Sequence, residues 1–182
     1  MKKIILFLLI TTSFQLKAQE VKLNNTSEAP KKEALVWHND LNKAIPLSIN
    51  SKKPILLFFT GSDWCGWCIR LQREVFHKED FKKWTDKNVI LVELDFPRRK
   101  QLPANIAQQN RELQQIFGVR GYPTVWLVTP EIIKSTDPNN PSSKINFQKL
   151  GSLGYVAGGP EKWIAAANQF LKNSENNIAP KN

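Results

Sequence analysis

The chain has 182 residues, 41% of them hydrophobic and 23% charged, which is room for one ordinary domain with a packed core and too little for two. Lys+Arg number 26 against 16 Asp+Glu, giving a formal charge of +10 and a pI near 9.7; part of this excess lies in a removable leader, so it argues only weakly for nucleic acid. The two cysteines sit three apart, which excludes a disulfide-stapled mini-protein and a four-cysteine zinc ribbon.

Met1-Lys2-Lys3 is a short basic start, Ile4–Ile10 is uninterrupted and apolar, and Ala18 stands at a cleavage-type position. This is the layout of a secretory signal peptide, residues 1–18. The apolar run is far short of the roughly 20 residues that span a bilayer. Cleavage removes Lys2, Lys3 and Lys17 with no acid, and lowers the formal charge by three, to +7. The expected location is exported and soluble, periplasmic for a Gram-negative source. Residues 19–33 read as a polar, flexible leader, 34–172 as the domain, and 173–182 as a polar tail.

Trp37, Leu41, Ala44, Ile45 and Ser48 fall at helical spacing, with Asn39 as N-cap and Pro46 expected to kink or end the helix. Pro54–Phe59 is a continuous apolar run, the pattern of a strand buried on both faces. Ile69, Leu71, Val75 and Phe76 give a helix that continues by a turn or two through Phe81 and Trp84, and Val89–Leu94 is a second buried strand. Pro103 opens a further helix striped by Ile106, Leu113, Ile116 and Phe117, with Gly118 as its stop. Thr124–Val128 is the third strand, Ser135–Ser143 an extended turn and Ile145–Leu150 the fourth strand. Gly158-Gly159-Pro160 starts a last helix whose Trp163, Ala166, Ala167 and Phe170 face inward. The order α-β-α-β-α-β-β-α predicts an α/β fold, a mixed four-stranded sheet covered on both faces.

Trp64-Cys65-Gly66-Trp67-Cys68 lies where the first strand feeds the next helix. Cys65 then stands at a helix N-terminus, where free N–H groups and the macrodipole favour a thiolate. Such positions lower a cysteine pKa from about 8.5 to roughly 3.5–7.5. Cys68, one turn on, is placed to resolve a mixed disulfide. Cys65 is thus the candidate nucleophile and Cys68 the resolving thiol, with Gly66 keeping the approach open. No cofactor is called for, since the dithiol is itself the redox group.

These residues resemble the thioredoxin superfamily, and Lys53 to Leu71 is especially similar to exported domains related to the C-terminal domain of the transmembrane disulfide reductase. Gly118-Val119-Arg120-Gly121-Tyr122-Pro123-Thr124 is similar to the family segment ending in a cis-proline before the third strand, and Gly154–Trp163 to its glycine turn. The resemblance covers roughly Trp37 to Lys172. It implies a thioredoxin fold with an N-terminal helical extension, Pro123 cis and opposite the cysteines, and substrate paired to the backbone of Tyr122. It also implies thiol–disulfide exchange on exported proteins and a membrane-bound redox partner; no nucleic acid is expected, and the chain is expected to be a monomer. Gly66-Trp67 replaces the Gly-Pro of thioredoxins proper, so reduction stands beside oxidation or isomerisation as alternatives. Potentials in this fold span roughly −270 to −120 mV. Many relatives carry a buried acid where this chain has Phe58; Glu93, Asp95, Asp63 or a water are the substitutes.

Other readings of the same residues are narrower. A structural Cys65–Cys68 crosslink would close too short a loop to staple much. Zinc would need His38 and His77 brought to the cysteines, and a c-type haem site would need histidine where Ile69 stands. A redox-inert binding module on the same scaffold is the alternative of another class. Trp64 and Trp67 are candidates for an apolar lip that receives extended substrate, with Trp67 expected to be exposed and Trp64 alternatively capping the loop from beneath; Tyr122 either narrows access or packs. Lys31-Lys32, Lys82-Lys83 and Arg98-Arg99-Lys100 read as solvated faces, with an anionic membrane surface as a second possibility.

Overall fold

The computed structural model describes residues 35–135 and 143–178. The expected signal peptide and leader, most of the Ser135–Ser143 turn and the last four residues lie outside the described residues.

Strand β2 (Ile55–Thr60) is the centre of the molecule and is buried at every position. Its residues alternate between two cores: Leu56 and Phe58 enter one face, and Ile55, Leu57 and Phe59 enter the other. Each fully buried side chain of this size contributes about 1.5–3 kcal/mol, which is why an unbroken apolar run stays a strand. β3 (Ile90–Asp95) pairs parallel to β2, with Phe58 opposite Glu93 and Thr60 opposite Asp95. β4 (Thr124–Lys134) pairs antiparallel on the other side, and β5 (Ser143–Leu153) pairs antiparallel to β4.

The sheet has five strands, β1-β3-β2-β4-β5, not four. The extra strand is β1 (Trp37–His38), parallel to β3. Trp37 therefore belongs to the sheet and not to the first helix. That helix, α1 (Leu41–Ser51), is capped by Asp40, whose side chain accepts from the Asn42 N–H, rather than by Asn39. Pro46 lies inside it without ending it. One backbone bond is lost there, while Leu41, Ala44, Ile45 and Ser48 keep the helix buried against the sheet.

β4 and β5 are also longer than the apolar runs suggest. Beyond Val128, β4 has no β2 neighbour and continues paired only to β5. Pro130 is tolerated there because one side of the strand is already a free edge. The arm ends in exposed Ile132, Ile133 and Ile145.

α2 (Gly66–Leu71) runs directly into a π turn at Gln72–Phe76, closed by the His77 N–H bonding the Gln72 carbonyl. α3 (Glu79–Asn88) is thus a separate helix, not a continuation. α4 (Ala104–Ile116) follows, with Pro103 at its N-cap, and α5 (Gly159–Ile178) extends past Lys172. α2, α3 and α5 cover one face, where Phe76, Phe81, Trp84 and Trp163 form an aromatic cluster. α1 and α4 cover the other.

Candidate functional site

The site begins where β2 runs out. After Thr60 the chain turns on Gly61, whose carbonyl accepts the N–H groups of Trp64 and Cys65 at 3.2 and 2.9 Å. Gly61 is obligatory by contact, since a Cβ there would stand 2.4 Å from the Trp64 ring. Cys65 is the N-cap of α2, with extended backbone, and its Sγ accepts the Cys68 N–H at 3.2 Å. Cys65 and Cys68 are joined in a disulfide, with their Cα atoms 5.2 Å apart. Cys65 is 6% exposed and Cys68 fully buried, so a reactant from solvent meets Cys65 first. A side chain at Gly66 would meet open space.

The second half of the site comes from β4. Because β4 starts beside the end of β2, with Phe59 opposite Thr124, the segment just before it is carried to the cysteine turn. There the Tyr122–Pro123 peptide is cis. The Gly154 position, after β5, lies against the Pro123 carbonyl, 3.3 Å from where a Cβ would be. The Gly154 carbonyl in turn accepts the buried Trp163 N–H of α5 at 3.1 Å.

The two tryptophans that flank the cysteines have different surroundings. Trp64 lies on Gly61, donates its ring N–H to the Phe96 carbonyl at 2.7 Å, and meets the Tyr122 ring edge-on. Trp67 is 55% exposed and leans on Tyr155. The Tyr122 side chain packs between Trp64 and Phe96, with its hydroxyl accepting from the Gln114 amide. Burial raises the pKa of that hydroxyl.

Each tryptophan also carries a guanidinium. Arg98 lies 3.8 Å from the centre of the Trp64 ring, and Arg70 lies 5.2 Å from Trp67 and 5.0 Å from Tyr155. Arg70 pairs with Glu74 one turn on, and Tyr155 donates its hydroxyl to the same carboxylate. Those two hydrogen bonds, Tyr155 first, hold Glu74 below the usual carboxylate range. The spacing of Arg70 and Glu74 was legible as a helical ion pair; nothing in the sequence placed Tyr155 or Phe96 beside the motif.

The nearby acids divide by their partners. Asp63 accepts the backbone N–H groups of Arg98 and Arg99, the Arg98 bond being the chief cause of its lowered pKa. Asp95 accepts from the Ser62 N–H and hydroxyl and pairs with Lys100 at 2.9 Å. Glu93 lines a small cavity of about 110 Å³ with Trp37, Phe58, Gln72, Phe76 and His77. Burial, with a lesser push from Asp95, raises its pKa. His77 reaches that cavity and His38 lies on β1; among the described residues no group of three or more His, Cys, Asp or Glu could hold a metal. No helix among them is long and apolar enough to cross a membrane.

Comparison with known proteins agrees with this geometry. Residues 36–130 match the family described as thioredoxin-like. The disulfide bond reductase DsbH of Chlamydia pneumoniae is 31% identical over 130 residues, 71% of this chain and 69% of its own. A solved DsbH oxidoreductase superposes with a TM-score of 0.64 at 27% identity, covering 88% of this chain and 95% of its own. A thioredoxin from Thermus thermophilus, 12% identical, shares the fold with a TM-score of 0.53 over 82% of this chain and all of its own.

Proposed function

The chain belongs to the thioredoxin-like family and is a thiol–disulfide oxidoreductase; from that premise we propose that it reduces disulfides in exported proteins, with Cys65 as nucleophile and Cys68 as resolving thiol. The observation that carries the assignment of roles is the asymmetry of the pair. Cys65 caps a helix at the rim with an N–H aimed at its sulfur, while Cys68 is sealed in the core behind it.

In the reduced protein, the Cys65 thiolate is stabilised by the Cys68 N–H and by the helix N-terminus. It attacks one sulfur of a substrate disulfide, forming a mixed disulfide and expelling the other substrate sulfur as a thiolate. Cys68 then gives up its proton and attacks the Cys65 sulfur. This releases the second substrate thiolate and closes the Cys65–Cys68 bond. Two electrons pass to the substrate, and its thiolates take protons from solvent. Extended substrate lies along the backbone at Tyr122 and the cis Pro123, with Trp67 as the apolar lip beside it and Trp64 fixing the turn from beneath. The oxidised pair is reset by a dithiol partner at the membrane, and residues 1–18 supply export.

Reduction is favoured over oxidation by similarity to a relative named as a disulfide bond reductase. Cys65→Ser abolishes insulin reduction, whereas Cys68→Ser accumulates a mixed disulfide that survives non-reducing electrophoresis and identifies the substrate. Loss of neither activity nor resolution in these variants refutes the roles. Equilibration of Cys65–Cys68 with glutathione gives the direction, and a potential near the oxidising end of the family range, about −120 mV, overturns the reductase reading.

A further inference from the structure

The outward face of the cysteine helix is tied to a distant loop. Trp67, Arg70 and Glu74 stand at i, i+3 and i+7, one stripe along α2 and the π turn that prolongs it. The buried stripe beside it is Cys68, Leu71 and Val75. Arg70 donates to Glu74 at 2.9 Å, and its guanidinium lies against the rings of both Trp67 and Tyr155, at 5.2 and 5.0 Å. The two rings meet with their centroids 5.3 Å apart. Tyr155 closes the cycle by donating its hydroxyl to the second Glu74 oxygen, across 81 positions of chain. Arg73 approaches the first oxygen at 3.6 Å. The residue before Tyr155 is Gly154, which packs against the carbonyl of the cis Pro123. One carboxylate therefore links the helix that carries Cys68 to the loop that backs the proline. A lone exposed arginine–carboxylate pair contributes little to stability; this one also fixes two rings.

We propose that Glu74 and Tyr155 are positioning residues for the Trp67 lip: with Arg70 between them they hold its ring as a fixed platform, on which an apolar side chain beside the substrate's cysteine docks. The inference rests on the exchange reaction proposed above and adds to it how the lip is kept ready and which substrates profit. An exposed ring on a bare helix surface samples several rotamers, and each binding event must order it again. Here Arg70 and Tyr155 cover part of the ring and Glu74 holds both of them, so that the ordering is complete before substrate arrives. The hydroxyl–carboxylate and guanidinium–carboxylate bonds are charge-assisted, the stronger class of hydrogen bond. Trp67 still leaves 55% of its surface open to a partner. A disulfide too small to reach the ring gains nothing from this order.

The test compares a disulfide-linked peptide carrying leucine beside its cysteine with bis(2-hydroxyethyl) disulfide, using dithiothreitol as the electron source. Glu74→Ala is expected to raise KM for the peptide about fivefold, with kcat and turnover of the small disulfide as before. Tyr155→Phe, which keeps the ring and loses only the hydroxyl, moves KM the same way by about twofold. In a Trp67→Ala background both substitutions lose their effect on KM, because they act through that ring. With 5-fluorotryptophan in place of tryptophan, the Trp67 fluorine resonance is identified by its absence in Trp67→Ala. It shifts and narrows in Glu74→Ala as the freed ring averages over rotamers. An unchanged peptide KM in Glu74→Ala, or an effect that persists in full without Trp67, overturns the positioning role. Equal slowing of both disulfides overturns it too, by making Glu74 a support of the cysteine turn. Failure of the unsubstituted protein to reduce either disulfide overturns the exchange reading itself.

Discussion

Trp64 and Trp67 are the same residue type, three positions apart, each beside a cysteine and each under an arginine. They do opposite jobs. Trp64 has its ring N–H satisfied by Phe96, its face on Gly61 and its edge against Tyr122, so it joins the cysteine turn to both neighbouring loops. Trp67 projects from the first turn of α2, 55% exposed, and its ring meets Arg70 and Tyr155 on the surface beside it. Phase along the chain explains the difference. Trp64 lies in the turn before the helix, where the backbone folds back over the sheet end; Trp67 lies on the outward face of the helix, with buried Cys68 next to it. One tryptophan builds the site and the other is presented by it.

Truncation separates the two roles. Trp64→Ala removes a ring with a bonded N–H from the junction of three loops and is expected to cost about 3 kcal/mol, read as a lower midpoint in denaturant. Activity toward small disulfides falls with it as the Cys65 turn loosens. A variant that keeps wild-type stability breaks the contrast, because it makes Trp64 another surface residue.

Proton titration sharpens the contrast on the Trp64 side. Asp63 has a depressed pKa through its bonds to the Arg98 and Arg99 N–H groups. Its contribution is therefore fully present above the ordinary aspartate range and is lost as the pH falls through its folded-state value. Glu93 runs the other way: its pKa is raised by burial, so what it contributes is present below the ordinary glutamate range and lost as pH rises through the folded value. Asp63→Asn is expected to flatten the acid limb of a stability-versus-pH curve followed by Trp64 fluorescence. An acid limb unchanged by the substitution removes Asp63 from the anchoring of the Arg98 loop.

The smallest effect on stability belongs to the exposed ring. Trp67→Ala is expected to change unfolding by about 0.5 kcal/mol or less, yet to slow reduction of polypeptide disulfides relative to a small disulfide. Equal slowing of both, or a stability loss like that of Trp64→Ala, makes the two tryptophans equivalent after all.

Some of this is legible in the sequence alone. Pro54–Phe59 reads as a doubly buried strand because it lacks any polar alternation, and the cysteines follow it where that strand gives way to a helix. Trp37 misled because a two-residue strand has no periodicity of its own; β1 exists because β3 offers an edge and because Phe58 and Phe76 receive the ring. Pro46 does not end its helix: the cost of one missing hydrogen bond is visible in a sequence, whereas the burial that outweighs it is not. The arm beyond Val128 was hidden for a related reason: its residues are held by pairing with β5, a distant segment, and not by an apolar face of their own.

By itself the sequence determined the type of layer each segment forms and the chemistry of its sulfurs, since alternation, capping and cysteine spacing act over a few neighbouring residues. Only the tertiary structure decided which groups meet at the site. The antiparallel register of β2 and β4 brings Pro123 to the cysteine turn, the parallel register of β2 and β3 sets Glu93 beside Phe58, and loop packing lays Arg98 on Trp64. Those meetings join residues about 30 to 60 positions apart. Their geometry depends on how two cores fill around a single buried strand, which no local pattern encodes.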